Sequence, residues 1–427
     1  MRVMKDSGIA WIGEIPEEWN LRKIKYIFRI SSGTTPKSDN LEYWDGDIPW
    51  VTPADYKTEN EYIYHGRKFL SKAGLEAANL QLLPVNSIVL SKRAPIGAVA
   101  ITAAELTINQ GCIAGIPIDD CSVRYYYFIL SICTEQLNLL GSGTTFKELS
   151  AQDFGNFIVP TPDVAVQERI ADYLDRKCSQ IDAIIARQQE VIEKLKAYKL
   201  SVITEAVTKG LNPHAPMKDS GVEWIGEIPE QWETASISRV ATVVRGASPR
   251  PAGDPRYFNG QDVPWITVAE VTKDDGKYIF STESYLTKEG AECSRLVEKG
   301  TLLLSNSGAT LGVPKVTLIT GCINDGSVAF LDLNIEQMYL LYVFKSRTLE
   351  LRKQMQGYGQ PNLNTTIVKN IVVPLPHPDE QKSISEYLDK RCKAIDDTIE
   401  MKEKVVERLS KYKKSLIYEV VTGKEEV

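Results

Sequence analysis

The chain has 427 residues, a formal net charge of −6, seven cysteines and three histidines. This length allows two or three domains. The acidic balance argues against a dedicated non-specific DNA binder, because basic side chains that neutralise phosphates supply most of that affinity. Scattered cysteines without a Cys-x-x-Cys pair argue against a disulfide framework and a structural zinc site. No apolar run reaches membrane-spanning length and the start lacks a signal-peptide pattern, so we expect a cytoplasmic protein without a membrane partner.

The first part of the chain is predicted to be a mixed α/β region with short elements. Apolar and β-branched runs bounded by Gly, Pro, Asn and Ser favour strands at 48–52, 87–91, 98–102 and 156–159. Helical periodicity covers 72–80 and 124–139. Polar, glycine-containing loops lie between these elements.

A much longer helix is predicted over 167–207. Gly210 follows it, where a left-handed cap is expected. At 1.5 Å per residue, about 40 residues span roughly 60 Å, which exceeds the width of a compact domain. A narrow apolar seam of that length requires a partner of similar length. The seam uses the first and fourth heptad positions, occupied by Ile170, Leu174, Ile181, Ile184, Gln188, Val191, Leu195, Tyr198 and Val202.

The second half of the chain repeats the first. Residues 217–232 match residues 4–19 at 13 of 16 positions. Further on, Asp262-Val263-Pro264-Trp265 corresponds to Asp47-Ile48-Pro49-Trp50. Strands are predicted at 263–268, 300–305, 313–318 and 370–373, with helices at 335–354 and 381–421. A repeat of this length indicates a duplicated domain, because solenoid repeats are far shorter.

The repeat predicts four parts: a globular region at 1–158, a helical region at 159–211, a second globular region at 212–372 and a second helical region at 373–427. The two long helices are expected to form one antiparallel coiled coil, in which polar residues such as Gln188 and Lys402 fix the register. The alternative is that each helix packs on its own globular region. The second helix supplies the seam residues Ile384, Leu388, Ile395, Lys402, Val405 and Leu409.

Three pairs of polar loops occupy equivalent places in the two copies but differ in chemistry. Their side chains are of the types that reach base edges and phosphates. Ordinary solvated loop surface is the alternative for any single residue, and the repetition of the scaffold with different loops favours recognition. The candidate DNA-binding residues are Thr34, Thr35, Lys37, Lys92, Arg93, Thr144 and Thr145 in the first copy, with Arg245, Ser248, Arg250, Asn306, Ser307, Tyr358 and Gln360 in the second.

No catalytic constellation emerges from the sequence. Asn212-Pro213-His214-Ala215 lacks the second proline and the aromatic ring of an amino-methyltransferase motif, and is interpreted as a turn. Pro378-Asp379-Glu380-Gln381-Lys382 is contiguous at a helix start, where acidic residues favour the helix dipole rather than a nuclease metal site. The tryptophans of the repeated segments are interpreted as packing anchors. We therefore expect a non-catalytic chain without a metal or a cofactor of its own.

Three sets of paired motifs resemble the specificity (S) subunit of type I restriction-modification systems. They are Trp11-Ile12-Gly13-Glu14-Ile15-Pro16 with its copy at Trp224, Asp47-Ile48-Pro49-Trp50 with its copy at Asp262, and the Val159-Pro160…Gln167…Ile170…Tyr173-Leu174-Asp175 segment with its copy at Val373.

The resemblance implies two target recognition domains that read the halves of a bipartite, non-palindromic site in double-stranded DNA. It implies that the helices set the distance between half-sites and dock two modification (methyltransferase) subunits. Those subunits would bind S-adenosylmethionine, and restriction subunits would use ATP and Mg²⁺. Competing hypotheses are a methyltransferase in its own right, a coiled-coil scaffold without a DNA role, and a half-type regulator.

Overall fold

The computed structural model describes residues 2–56, 61–93, 95–142, 147–308, 310–354 and 363–427, without the side chains of residues 353 and 354. Contacts divide the chain into two units. Unit 1 comprises Met1–Gln189 and Lys404–Val427, and unit 2 comprises Glu190–Glu403. Unit 2 is thus one continuous stretch of sequence, whereas unit 1 is assembled from the two ends of the chain.

Unit 1 contains twelve of the described strands, in an α/β arrangement. The strands are β1 Met4–Asp6, β2 Glu14–Pro16, β3 Asn20–Lys23, β4 Phe28–Ser32, β5 Trp44–Val51, β6 Tyr62–Ile63, β7 Lys68–Leu70, β8 Ile88–Ser91, β9 Val99–Thr102, β10 Thr107–Ile108, β11 Cys112–Pro117 and β12 Ile158–Thr161. Its helices before the long one are α1 Lys72–Ala77, α2 Val123–Ile132, α3 Thr134–Leu140 and α4 Ala151–Asn156, with short 3-10 turns at Ile24–Tyr26, Leu41–Tyr43 and Pro53–Asp55.

The main sheet of unit 1 has the strand order β4-β11-β8-β9-β6, and a smaller sheet has the order β10-β5-β7. The pairings β11–β4, β11–β8 and β8–β9 are antiparallel, and β6 lies parallel to β9. The end of β4, the end of β8 and the start of β11 therefore lie side by side at the same end of the main sheet. The polar loops of the first copy begin at this end.

Unit 2 repeats this arrangement. Its strands are β13 Met217–Asp219, β14 Glu227–Pro229, β15 Glu233–Ser236, β16 Thr242–Arg245, β17 Phe258–Ile266, β18 Tyr278–Ile279, β19 Tyr285–Leu286, β20 Arg295–Val297, β21 Leu302–Ser305, β22 Pro314–Thr317, β23 Gly321–Ile323, β24 Ser327–Leu331 and β25 Val372–Leu375. The long helix α5 spans Val164–Lys209; the later helices are α6 Ile237–Val240, α7 Val268–Thr272, α8 Lys288–Glu292, α9 Gln337–Gln354, α10 Thr365–Asn370 and α11 Pro378–Val421.

The main sheet of unit 2 has the order β16-β24-β21-β22-β18, which matches the order in unit 1 strand for strand. The smaller sheet, β19-β17-β23-β20, carries one additional edge strand. A mixed α/β fold with two repeated domains and two long helices is therefore confirmed. The predicted domain boundaries remain predictions, since the units group residues by contact and divide each long helix between them.

Both long helices, α5 and α11, pack against the core of each unit, and each helix contributes one of its ends to one unit and the other end to the other unit. In unit 1 the start of α5 and the end of α11 pack antiparallel, because Tyr173 bonds Glu425 while Asp182 pairs with Lys413. In unit 2 the end of α5 and the start of α11 do the same, with Lys199 paired to Asp396. Gly210 and Gly423 follow the two helices with φ values of 75° and 74°, the left-handed caps that end them.

One tyrosine in each unit joins both helices to the globular region. The Tyr125 hydroxyl lies 3.2 Å from the Pro160 carbonyl and 3.1 Å from the Val421 carbonyl. In unit 2 the Tyr339 hydroxyl lies 3.2 Å from the Pro374 carbonyl and 3.0 Å from the Val207 carbonyl. Both tyrosines are fully buried, so each hydroxyl requires such partners. Helices and globular region therefore form one core in each unit.

The heptad assignment differs from the structure at three of its fourth positions. Ile184 and Tyr198 are 48% and 44% exposed, and Val405 is 41% exposed. The next residue along the helix faces the core instead, as at Ile192, which is 6% exposed. Each helix packs against a globular region as well as its partner helix, so its apolar face is wider than a two-helix seam. The remaining seam residues are buried (Ile170, Leu174, Ile181, Ile384, Leu388, Ile395) or half-buried (Gln188, Val191, Leu195, Lys402, Leu409).

Several shorter predictions are displaced. The strand predicted at 156–159 begins at Ile158, because 151–156 forms a helix. The same shift occurs at 370–373, where α10 precedes β25. The helix predicted at 124–139 breaks at Cys133, which has ψ 17° and separates α2 from α3. Among the described helices, none is long and apolar enough to cross a membrane.

Candidate nucleic-acid interface

In unit 1, two of the predicted polar loops meet around the turn that joins β10 to β11. We call residues 33–37, 92–93, 109–111 and Glu148 the unit 1 corner. A Cβ on Gly33 would lie only 2.1 Å from the Ile108 carbonyl oxygen, so only glycine lets the first loop approach the turn so closely. The Thr35 hydroxyl donates to the side-chain oxygen of Gln110, at the tip of the turn. Arg93 reaches the Gln110 carbonyl at 3.5 Å.

Glu148 is the counter-ion of the unit 1 corner. Its carboxylate lies 2.8 Å from the Lys92 ammonium and 3.4 Å from the Arg93 guanidinium. Hydrogen bonding from Lys92 and the charges of both basic groups hold the pKa of Glu148 below its ordinary value. Thr34 and Lys37 are exposed beside this pair, and their carbonyls accept bonds from the indoles of Trp50 and Trp44. Indole contacts to the backbone therefore position the loop, and the Thr34 hydroxyl also donates to the Ala78 carbonyl at 2.9 Å.

Unit 2 contains the same corner with different side chains. We call residues 245–250, 306–307 and 324–326 the unit 2 corner. The Arg245 guanidinium donates to the Asp325 carbonyl at 3.0 Å, and the Ser248 hydroxyl donates to its carboxylate at 2.5 Å. Arg250 lies 3.4 Å from the other carboxylate oxygen. One acidic residue therefore gathers three of the candidate residues.

The second loop of the unit 2 corner is anchored through the backbone. The Asn306 amide nitrogen donates to the Gly326 carbonyl at 2.9 Å, as Lys92 does to Gly111 at 2.8 Å in unit 1. The Asn306 side chain is fully buried, and both its polar atoms lack a hydrogen-bond partner among the described residues. Ser307 is half-buried. Thr144, Thr145, Tyr358 and Gln360 lie outside the described residues.

The central residues of both corners were missed by the sequence analysis. Gln110 and Asp325 occupy the third position of two matching segments, Ile108-Asn109-Gln110-Gly111 and Ile323-Asn324-Asp325-Gly326. The shared Ile-Asn-x-Gly pattern was the available signal. It varies at the residue whose side chain bonds the first polar loop, which is the pattern expected of a common scaffold with variable recognition chemistry.

The two segments that partly match catalytic motifs, 212–215 and 378–382, have structural roles. The Asn212 side chain accepts from the His214 backbone at 3.0 Å, which forms the predicted turn. Asp379 and Glu380 lie in the first turn of α11, as predicted, and Glu380 also accepts a 2.8 Å bond from the Trp232 indole. All seven cysteines are free. Among the residues described, no group of His, Cys, Asp and Glu is placed to hold a metal ion.

Comparisons with known proteins agree on one family. The family model described as the type I restriction modification DNA specificity domain matches residues 16–194 and 229–408. The MjaIX specificity subunit of a type I restriction enzyme from Methanocaldococcus jannaschii is 30% identical over 390 residues, covering 87% of this chain and 86% of that protein. The MjaVIII specificity subunit from the same organism is 26% identical and covers 96% of this chain and 93% of its own length.

Two solved structures share the fold. A chain from a study of complex assembly and conformational transition of the type I R-M system has a TM-score of 0.74 at 15% identity, covering 95% of this chain and 98% of that one. The HsdS subunit from Thermoanaerobacter tengcongensis has a TM-score of 0.50 at 16% identity, covering 96% of this chain and 98% of its own. At such identities the likeness concerns the fold alone.

Proposed function

The chain belongs to the family of type I restriction modification DNA specificity proteins, and on that premise we propose that its two corners read the two halves of a bipartite DNA site. DNA sequence recognition for a type I restriction-modification system is the function that the family membership supports. The observation that carries the proposal is the meeting of separate polar loops around one turn in both units. Gln110 is central to one corner and Asp325 to the other, so the half-sites differ and the site is non-palindromic.

Roles for the corner residues follow from their chemistry. In the unit 1 corner, Lys92 and Arg93 are cations held near the surface by Glu148, suited to phosphates or to the acceptor edge of guanine. Thr34, Thr35 and Lys37, on the other loop of this corner, are proposed to supply further contacts to the DNA. In the unit 2 corner, Arg245, Ser248 and Arg250 are donors arranged by Asp325. Asn306, Ser307, Thr144, Thr145, Tyr358 and Gln360 remain proposed contacts on sequence grounds.

We propose further that the chain is itself non-catalytic and acts within a complex. Two modification subunits would bind S-adenosylmethionine and methylate adenine, and restriction subunits would use ATP and Mg²⁺. No cofactor of its own is assigned to this chain. The net charge of −6 supports the need for partner subunits, because a chain with a net negative charge relies on partners for much of its phosphate contact. A cytoplasmic location is part of the same proposal.

Asp325→Gln tests the proposal, because it gives unit 2 the residue that unit 1 carries at the same place. The substitution removes the carboxylate that holds Ser248 and Arg250. We expect discrimination at one or two positions of one half-site to change by about 1–3 kcal/mol, while the other half-site stays the same. The measurement is sequencing of adenines methylated when the variant is co-expressed with its modification subunit.

Glu283→Gln is the matched control. It removes one negative charge from the same unit, at an exposed pair 3.8 Å from Lys273, and is expected to leave both half-sites unchanged. An Asp325→Gln protein that methylates the original motif with unaltered selectivity would contradict the assignment of the unit 2 corner.

A further inference from the structure

Unit 2 contains a lysine-lined cavity away from its corner. The cavity has a volume of about 390 Å³ and lies among α5, α9, α11 and the segment before β18. Its lining includes four lysines and three aspartates, with Tyr342 and Cys392 between them. The lining residues are Lys199, Asp275, Gly276, Lys277, Tyr342, Lys345, Asp389, Cys392, Lys393 and Asp396.

Two of the four lysines are neutralised by carboxylates. The Lys199 ammonium lies 2.6 Å from one oxygen of Asp396 and 2.7 Å from the other. The Lys277 ammonium lies 2.6 Å from Asp389, whose carboxylate also accepts from the Tyr342 hydroxyl at 2.5 Å. These pairs account for two of the three aspartates in the lining.

Lys345 has no such counter-ion among the described residues. Its ammonium donates to the backbone carbonyl of Asp275 at 2.9 Å. Burial and then the nearby charge of Lys199 lower the pKa of Lys345 to about 8, although the charge of Asp275 acts in the opposite direction. Lys345 is half-buried, so an ammonium there without an anion at salt-bridge distance is partly desolvated, and an anion in the cavity would offset that cost.

The corresponding place in unit 1 keeps a counterpart of Lys199, because Lys413 pairs with Asp182 there. It lacks the other three lysines, so the fold does not require those. Glu61 stands where Lys277 does, since the two carbonyls accept equivalent strand bonds, from Ile101 at 2.8 Å and Val316 at 2.9 Å. Ser131 lies six residues after Tyr125, as Lys345 lies six after Tyr339. Ser179 follows Cys178 where Lys393 follows Cys392. Unit 2 therefore carries three lysines at positions where unit 1 has one acid and two hydroxyls, and in unit 1 the repeated aspartate, Asp175, pairs with Arg124 instead.

We propose that this cavity binds a phosphate group, held by the Lys345 ammonium with Lys393 at the rim. Lysine is a compact point charge suited to a tetrahedral oxyanion. The phosphate has two possible sources, the DNA backbone and free phosphate. Helix α9 connects the cavity with the unit 2 corner, because Thr348 and Arg352 bond the carbonyls of Gly312 and Leu311, close after Asn306 and Ser307. The DNA source rests on the proposed function, and the free phosphate source does not.

Chemical labelling of lysines in the full-length protein tests the proposal. The protein is treated with acetic anhydride at pH 8, and each lysine is quantified by mass spectrometry in chloride, in inorganic phosphate at equal ionic strength, and with duplex DNA in chloride. We expect phosphate or DNA to slow the labelling of Lys345 at least threefold. Lys288, exposed on α8 of the same unit, is the internal control and is expected to label at a constant rate.

The two arms identify the source. Protection by inorganic phosphate assigns a free-phosphate site, and protection by DNA alone assigns a backbone phosphate. Lys345→Met should abolish the phosphate-dependent shift in melting temperature, or reduce the DNA-dependent shift to which the corners also contribute, whereas Lys288→Met should keep both shifts. Equal labelling of Lys345 in all three conditions would overturn the inference. A protein that methylates its normal motif yet shows no protection would refute this inference and leave the proposed function intact.

Discussion

The corners of units 1 and 2 share a frame and differ at its centre. In both, a glycine presses against the Ile-Asn-x-Gly turn and a backbone bond of 2.8 or 2.9 Å fixes the second loop. The neutral Gln110 leaves Lys92 and Arg93 to pair with Glu148, whereas Asp325 itself gathers Arg245, Ser248 and Arg250. Backbone contacts therefore position the loops in both corners, and the side chains of the loops can vary without loss of the fold.

A second contrast lies beside the long helices. Asp175 of α5 pairs with Arg124 from α2, while the equivalent Asp389 of α11 pairs with Lys277 from the segment before β18. At the place of Lys277, unit 1 has Glu61, which faces Asp175 with like charge. The repeated aspartate therefore keeps a cation in both units, but the cation comes from a different element.

The largest effect is expected from lengthening both long helices, which tests whether the helices set the spacer between the half-sites. Insertion of one heptad after Gln189 in α5 and another after Glu403 in α11 adds about 10 Å to each helix at the boundary of the units. If the helices set the spacer, methylated motifs should keep both half-sites and gain roughly three base pairs between them at 3.4 Å per pair. Sequencing of methylated adenines measures both quantities.

The inserted residues must lie outside the core of either unit and must lengthen both helices equally. Val202 lies in the core of unit 2 and is only 9% exposed, so an extra turn there would disturb that unit. Insertion into α5 alone would leave the two helices unequal in length, and methylation should fall. Changed half-sites, or an unchanged spacer in the double insertion, would contradict a measuring role for the helices.

A smaller effect is expected from the two equivalent tryptophans. The Trp232 indole donates to Glu380 at 2.8 Å, whereas the Trp19 indole nitrogen is buried and has no partner among the described residues. Trp232→Phe should therefore reduce the free energy of unfolding by about 1–2 kcal/mol more than Trp19→Phe, because only the former loses a bond to a charged group. Denaturant titration with hydrogen exchange in each unit compares the two; equal losses would refute the assigned role of Glu380.

The smallest expected effect concerns pH. Burial, together with the charge of Asp175, raises the pKa of Glu61 to about 7. Because the folded pKa exceeds the unfolded one, the contribution of Glu61 to stability is greatest below about pH 4.5 and is lost as pH rises through 7. Glu61→Gln should therefore raise the melting temperature at pH 8 by about 2–4 °C, after allowance for partial exposure, and leave it unchanged at pH 4. The same gain at both pH values would exclude titration of Glu61 as the cause.

The sequence predicted the features that local pattern encodes. The long helices, the glycine cap at Gly210 and the turn at Asn212 are confirmed, since capping and periodicity depend on neighbouring residues. The heptad assignment is wrong at Ile184, Tyr198 and Val405, because the width of an apolar face depends on how many surfaces cover it. Gln110 and Asp325 escaped notice because their contacts come from loops about 75 residues away in the chain, a separation that local pattern does not encode.

The division of the chain has a consequence for synthesis on the ribosome. Unit 2 is continuous and is complete once Glu403 has emerged, but unit 1 waits for Lys404–Val427. Until then its nascent core lacks Leu416, Ile417, Val420 and Val421, which are all buried against it in the finished protein. The domain translated first is thus the last to close. A stop codon in place of Lys404 would therefore disable unit 1, most of which is translated before unit 2.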